Sequence, residues 1–268
     1  MTYMKFDQHG VYHYAMYHHP LSDTINTSEH FHPEYELLYC LQGDATISIQ
    51  GKTYDLSPHT LVLIKPGEYH GVSFLSNEPY ERILIQFDPC ILSKTLEKLS
   101  NKLNHVYNIK DSLLKLELMR FTMRYDEIDK MLWSSFFEWQ MNIIMSYLCK
   151  DENYLKIVGK SDEVLTAVLA TIDEYLATIQ TVGDLCKLTN LSPTYLQTLF
   201  NEHLGQSVMR YIRSKQMFWG KKMLNMGHSA QEVSEKLGFD NYSTFYRNYK
   251  KVFNTSPAPI LSQNKSPK

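Results

Sequence analysis

The chain has 268 residues, enough for about two ordinary domains, and its 43% hydrophobic and 21% charged residues are those of a folded chain rather than a disordered tail. The net charge of −2 divides into −5 over residues 1–160 and +3 over residues 161–268, which permits nucleic-acid binding by the C-terminal part without requiring it. No apolar run approaches the roughly 18 residues of a membrane span, the start MTYMKFDQHGVYHY lacks a signal-peptide pattern, and Cys40, Cys90, Cys149 and Cys186 form no paired or zinc spacing. The expectation is a cytoplasmic chain with reduced thiols and no membrane partner.

The first ninety residues predict short strands. ELLYCL (36–41) leads into the turn Gln42-Gly43-Asp44, and ATISI then alternates with Ile47 and Ile49 on one face. TLVLI (60–64) is a continuous apolar run stopped by Pro66-Gly67, and RILIQF (82–87) alternates with Ile83, Ile85 and Phe87 on one side. Short strands spaced by turn residues predict a sandwich or small barrel. After Pro89 the spacing turns helical. One helix is predicted around Leu113, Leu116 and Met119, and a longer one over 131–148. The second is apolar enough, through Trp133, Phe136, Phe137, Ile143, Ile144 and Met145, either to cover the sheet or to pack on a second copy. KDENYLKIVGK (150–160) reads as a linker.

From residue 162 the chain is predicted helical almost throughout, with Ser161 as the N-cap of the first helix. An internal near-repeat follows. LCKLTNLSPTYLQTLF (185–200) aligns with VSEKLGFDNYSTFYRNY (233–249), at an offset of 48 residues before the turn and 49 after it. Each copy is a short helix, a tight turn and a second helix, which is the helix-turn-helix design. Ser192-Pro193 caps the second helix of the first copy, and Asp240 or Asn241 does so in the second copy after Gly238.

A helical wheel divides each second helix. Leu196, Leu199 and Phe200 point inward in the first copy, and Phe245, Tyr249 and Val252 in the second. Outward lie Thr194, Gln197, Thr198 and Asn201, and then Ser243, Tyr246, Arg247 and Lys250. A long-armed, donor-rich face of this kind suits the major groove of double-stranded DNA. Arg247 can pair with guanine, and Gln197 or Asn201 with adenine. A solvated polar face would read the same in one copy; two copies with matched caps favour recognition. The connecting stretch 208–225 spans roughly 27 Å as a helix, which suits two recognition helices about one DNA turn apart.

At this point the sequence resembles the AraC/XylS-type transcription regulators. The marks are LSPTYLQTLFNEHLG, YIRSKQMFWGKKML and GFDNYSTFYRNYKKVFNTSP. Gln216, Gly220, Asn254 and Ser256 depart from the Arg, Ala, Gly and Thr usual there. The resemblance implies two DNA-reading helices, an N-terminal sensor that also makes a homodimer, and RNA polymerase as a partner.

EHFHPEYELLYCLQG (29–43) and KPGEYHGV (65–72) look like the cupin pattern, in which two histidines, a glutamate and a later histidine gather inside a small barrel. The matching residues are His30, His32, Glu36 and His70. Their N and O donors suit a transition metal, catalytic or sensory. They also suit a metal-free effector pocket, which is the expectation here, with Tyr39 as a further lining residue. Tyr12, Tyr14, Phe31, Tyr35, Tyr69 and Phe74 line that pocket or pack the barrel.

The sequence therefore predicts an α+β protein with two domains. A cupin-like β-barrel with flanking helices (1–150) serves as effector-binding and dimerisation domain. After the linker (151–160) comes an all-α double helix-turn-helix DNA-binding domain (161–260), then a tail (261–268). The predicted function is sequence-specific transcription regulation, as an activator, in response to a small molecule such as a sugar, with no resident cofactor. The alternative is a metal-dependent cupin enzyme with an appended DNA-binding module.

Overall fold

The alternation of ATISI predicts one buried face, and Ala45, Ile47 and Ile49 are fully buried while Thr46 and Ser48 are only partly so. The structure is a computed structural model that describes residues 2–4, 12–19, 30–74, 80–123, 128–129, 131–150, 155–156 and 160–257. It divides into two units, Met1–Lys160 and Ser161–Lys268.

The first unit is built on two sheets. The larger contains β1 (Thr2–Met4), β2 (Tyr12–His19), β3 (Tyr35–Gln42), β6 (Thr60–Ile64), β8 (Tyr80–Phe87), β9 (Val106–Asn108) and β10 (Leu155–Lys156), in the order β1-β2-β8-β3-β6-β9-β10. Three neighbouring strands of the other are β4 (Ala45–Ile49), β5 (Lys52–Leu56) and β7 (His70–Phe74), in the order β5-β4-β7. The pairings that place the site are antiparallel: β3 with β6 and β8, and β4 with β5 and β7.

Both faces of the large sheet are covered, which is why TLVLI reads as an unbroken apolar run. Leu38, Val62, Ile64 and Tyr80 meet Ile47, Ile49, Leu56 and Val72 of the other sheet in one core. Tyr35, Leu37, Leu63, Ile83, Ile85 and Phe87 face the other way, against α2 (Leu113–Met123) and α3 (Trp133–Lys150). A short helix α1 (Lys94–Ser100) adds to that layer.

Of the two expectations for the apolar cluster of α3, covering the sheet is the one met by most of its residues. Trp133, Phe137, Ile144 and Met145 are buried within the chain's own core, so they are spent on covering the sheet. Trp139 of the same helix is 70% exposed, and half-buried Ile143 and Tyr147 follow at four-residue spacing on one groove. Of the predicted linker, Leu155–Lys156 pairs with β9 as an edge strand, and most of the remainder lies outside the described residues.

The second unit is helical: α4 (Glu163–Glu174), α5 (Val182–Thr189), α6 (Pro193–Leu204), α7 (Val208–Asn225), α8 (Ala230–Lys236) and α9 (Tyr242–Phe253). The N-cap of α4 is Asp162, not Ser161, and its side chain accepts from the Leu165 amide. Helix α7 serves both copies. Val208, Tyr211 and Ile212 are buried towards its start, with Tyr211 edge-on to Phe200 of α6. Met217 and Leu224 join Val233, Leu237, Phe245 and Tyr249 in the core of the second copy. Gly220 sits at that contact. A Cβ there would lie 3.2 Å from both Leu237 and Phe245 side chains, so close helix approach offsets the roughly 1 kcal/mol that glycine costs in a helix.

Candidate functional sites

The two copies match cap for cap. Thr181 and Ser229 open α5 and α8 with reciprocal capping boxes, 48 residues apart. Ser192 and Asn241 cap α6 and α9, 49 apart. Asn190 and Gly238 occupy the same place in the two turns, both left-handed at φ +58° and +74°. The extra residue of the second copy therefore lies between Gly238 and Asn241. Asn254 ends α9 in the same left-handed conformation at φ +55°, a position asparagine tolerates almost as well as the glycine usual in similar sequences.

On α6, Leu196, Leu199 and Phe200 are buried; Thr194, Thr198 and Asn201 are exposed and Gln197 is half-buried. On α9, Phe245 and Tyr249 are buried; Ser243, Arg247 and Lys250 are exposed and Tyr246 is half-buried. Val252 is 42% exposed and does not belong to the inward stripe; Phe253 takes that place, 4.7 Å from the Tyr249 ring. The outward faces superpose in register: Thr194 with Ser243, Gln197 with Tyr246, Thr198 with Arg247, Asn201 with Lys250. Gln197 Nε2 donates to Asn201 Oδ1 at 2.9 Å, so these two amides lie paired on one face. Arg247 leans back on its own helix, its Nε 3.3 Å from the Ser243 carbonyl.

In the first unit the register of three strands gathers a polar cluster. Glu36 pairs with Gln86 on one side and Ile64 on the other, and points into the space between the sheets with Leu38. His70 opens β7 and forms a two-bond antiparallel bridge with His30. The rings of His30 and His32 lie 4.5 and 5.0 Å from that of His70. Ligand atoms of the three imidazoles all fall within 4.8 Å of one another.

Hydrogen bonds assign the roles. His70 Nδ1 donates to the Glu68 carbonyl at 2.8 Å, which leaves Nε2 as the lone-pair end. That atom is buried without a hydrogen-bond partner, 3.9 Å from Glu36 Oε2. The same carboxylate oxygen accepts from Gln86 Nε2 at 2.8 Å and His32 Nε2 at 3.1 Å, while His32 Nδ1 donates to the Glu34 carbonyl. Gln86 Nε2 also lies 3.3 Å from His32 Nε2. Burial works against a charge on His32, but the Glu36 and Glu34 contacts outweigh it and raise the His32 pKa. Burial likewise opposes the Glu36 charge. The His32 bond, the neighbouring imidazoles and Gln86 overcome it and hold that carboxyl well below its usual range. Burial pushes His70 down to about 4, against the pull of Glu36. The result is an unpartnered imidazole nitrogen, His70 Nε2, beside a carboxylate oxygen that Gln86 and His32 already hydrogen-bond.

Not every predicted pocket residue joins this cluster. Tyr39 lies on the opposite face of β3 from Glu36, in the core shared with the helices, its hydroxyl 3.1 Å from His59 Nδ1. Tyr35 is likewise on the helix side, stacked on Phe87. Phe74 packs against the core between the sheets. Phe31 and Tyr69 contact each other beside the histidines. The side chains of Tyr12 and Tyr14 lie outside the described residues. Gln86 was not anticipated, although a lone amide at the end of the apolar alternation RILIQF was the signal available.

Residues 185–263 match a helix-turn-helix domain family and residues 15–136 the AraC-like ligand binding domain family. The transcriptional regulatory protein HptR of Staphylococcus aureus is 25% identical over 108 residues, 40% of this chain and 43% of HptR. An uncharacterized response regulatory protein of Staphylococcus epidermidis is 27% identical over a segment of the same length and coverage. This match thus spans less than half the length of either relative. The uncharacterized HTH-type transcriptional regulator YbfI of Bacillus subtilis is 22% identical over 227 residues, 80% of this chain and 79% of YbfI. Among solved structures, ToxT from Vibrio cholerae aligns over 92% of this chain and 97% of its own, at 14% identity and a TM-score of 0.40. With a ligand-binding domain matched over the β-rich unit and paired helix-turn-helix copies in the other, the chain belongs to the AraC-type DNA-binding transcription regulators.

Proposed function

We propose that α6 and α9 each enter a major groove of one operator, and that the His30–His32–Glu36–His70 cluster receives the small-molecule effector. The observation that carries the first part is the repeat. Two caps and two outward faces superpose at an offset of 49 residues, which a solvated surface has no reason to preserve. Thr194, Gln197, Thr198 and Asn201 then read one half of the site, and Ser243, Tyr246, Arg247 and Lys250 the other.

The unpartnered His70 Nε2, 3.9 Å from Glu36 Oε2, carries the second part. It calls for a donor, and a hydroxyl of a sugar-like effector supplies one. The space deeper between the sheets is filled by Leu38, Ile47, Val62 and Val72, so the effector is read at the histidine end. A second reading has its own support. Three imidazole nitrogens within 4.8 Å of one another, beside an anionic carboxylate, fit a transition metal. His30, His32, His70 and Glu36 would hold it, and it would supply Lewis acidity there. Metal analysis of protein purified without an affinity tag separates the two. The effector reading predicts near-zero metal, with His32→Ala leaving DNA affinity intact but altering the response to effector. Close to one ion per chain, lost in His32→Ala, would establish the metal instead.

Two copies are proposed to pair through the first unit, at the groove of α3 where exposed Trp139 lies beside half-buried Ile143 and Tyr147. Activation through RNA polymerase, and placement in the cytoplasm, complete the reading. No described helix is long and apolar enough to cross a membrane.

A further inference from the structure

Arg213 is a basic residue in a DNA-binding unit, and its first assignment would be a phosphate contact. Its surroundings point elsewhere. It is half-buried on α7, and both terminal nitrogens are engaged within the protein. Nη1 donates to Gln180 Oε1 and to Gln216 Oε1, each at 2.8 Å, and Nη2 donates to the Gln180 carbonyl at 3.1 Å. The guanidinium carbon lies 5.1 Å from the ring centroid of Phe239, a buried residue in the turn between α8 and α9. One side chain therefore touches the corner between α4 and α5, its own helix, and the turn that aims α9.

Other contacts reinforce the same corner. Gln216, fully buried, donates from Nε2 to the Leu176 carbonyl at 2.9 Å. Gln180 Nε2 donates to the Ala177 carbonyl at 3.0 Å. Gly238 lies so close that a Cβ would come within 1.9 Å of that carbonyl oxygen. Residues 176–180, which lead into the first helix-turn-helix, are thus bound to α7 and pressed against the turn of the second. A planar guanidinium suits the task, since its donors fork in one plane while its face stacks on an aromatic ring; a lysine ammonium has no such plane and cannot hold the three acceptors and the ring at once.

We propose that Arg213 is a positioning residue for DNA reading: with Gln180 and Gly238 it fixes the α8–α9 turn against the α4–α5 corner, and so sets the spacing between the half-sites read by α6 and α9. The proposal rests on the two-groove reading above, and its test separates the two. The wild-type full-length chain selects its preferred site from random DNA. Affinities are then measured for that site and for versions with one base pair inserted or removed between the half-sites. The wild type is expected to lose about tenfold or more on misspaced sites. Arg213→Ala and Arg213→Lys are both expected to lose less than about threefold, with the salt dependence of wild type retained, because no phosphate contact has gone. A phosphate contact would behave differently: Arg213→Lys near wild type, a shallower salt slope in Arg213→Ala, and spacing discrimination unchanged in both. That result overturns the proposal. Gln180→Ala removes the acceptors' side-chain share without touching the charge, and serves if an arginine variant does not fold; unchanged discrimination in Gln180→Ala is equally fatal. If the wild type selects no two-part site, the two-groove reading fails and the proposal falls with it.

Discussion

Arg247 and Arg213 carry the same charge in the same unit and are assigned opposite roles, because one is exposed on the outward face of α9 and the other is engaged by Gln180 and Gln216. Arg247→Ala is expected to weaken binding to the selected site by about 1–3 kcal/mol and to relax preference at one base pair. Equal losses on all sequences in a binding titration would make it a phosphate contact. Glycines separate in the same manner. Gly227 and Gly238 both have positive φ, +92° and +74°, but a Cβ at Gly227 meets nothing within 4 Å. Gly227→Ala should cost only the backbone strain, about 1 kcal/mol. Gly238→Ala should cost at least about 2 kcal/mol more in denaturant unfolding, since a backbone carbonyl must move. Equal costs would mean that the turn does not sit against Ala177.

At the scale of the element, α6 offers a coupled pair rather than two independent readers. Gln197 and Asn201 share a hydrogen bond, so a double-mutant cycle on DNA affinity with Gln197→Ala and Asn201→Ala is expected to show a coupling energy above about 0.5 kcal/mol. Strict additivity would show that the amides part when DNA binds. The helical unit was the more legible half of the sequence, for a physical reason. Its helices begin at Ser192, Ser229 and Asn241 by local side-chain bonds that operate within three residues, and such signals are written in consecutive letters. The sheet is different. That Glu36 lies beside Gln86, and Tyr39 away from both, follows from the register of β3 with β8 and from the alternation of faces, which pairs residues 50 apart. The gathering of Glu36 with His32 was implied by the cupin-like pattern, but the bare His70 nitrogen was not, because it depends on the Glu68 carbonyl accepting from the ring's other nitrogen. The α3 cluster stayed open between partner and core because apolarity alone does not say which face the sheet will cover.

For the whole molecule, the account joins a sensor unit and a reader unit in one chain and proposes two chains per assembly. Trp139→Glu is expected to shift the full-length chain from dimer towards monomer in sedimentation at tens of micromolar, since the groove would then carry a charge into the interface. A mutant that remains as dimeric as wild type would move the interface elsewhere. The proposal on which the DNA-binding half depends is the reading of two successive major grooves by two different helices of one chain. It is tested most directly by hydroxyl-radical footprinting and base-preference profiling of the selected site with two variants, Gln197→Ala in α6 and Arg247→Ala in α9. Each variant is expected to alter base preference in a different half of the site, the halves centred about one helical turn, roughly 10 base pairs, apart on one face of the duplex. Changes confined by both variants to the same few base pairs would contradict it.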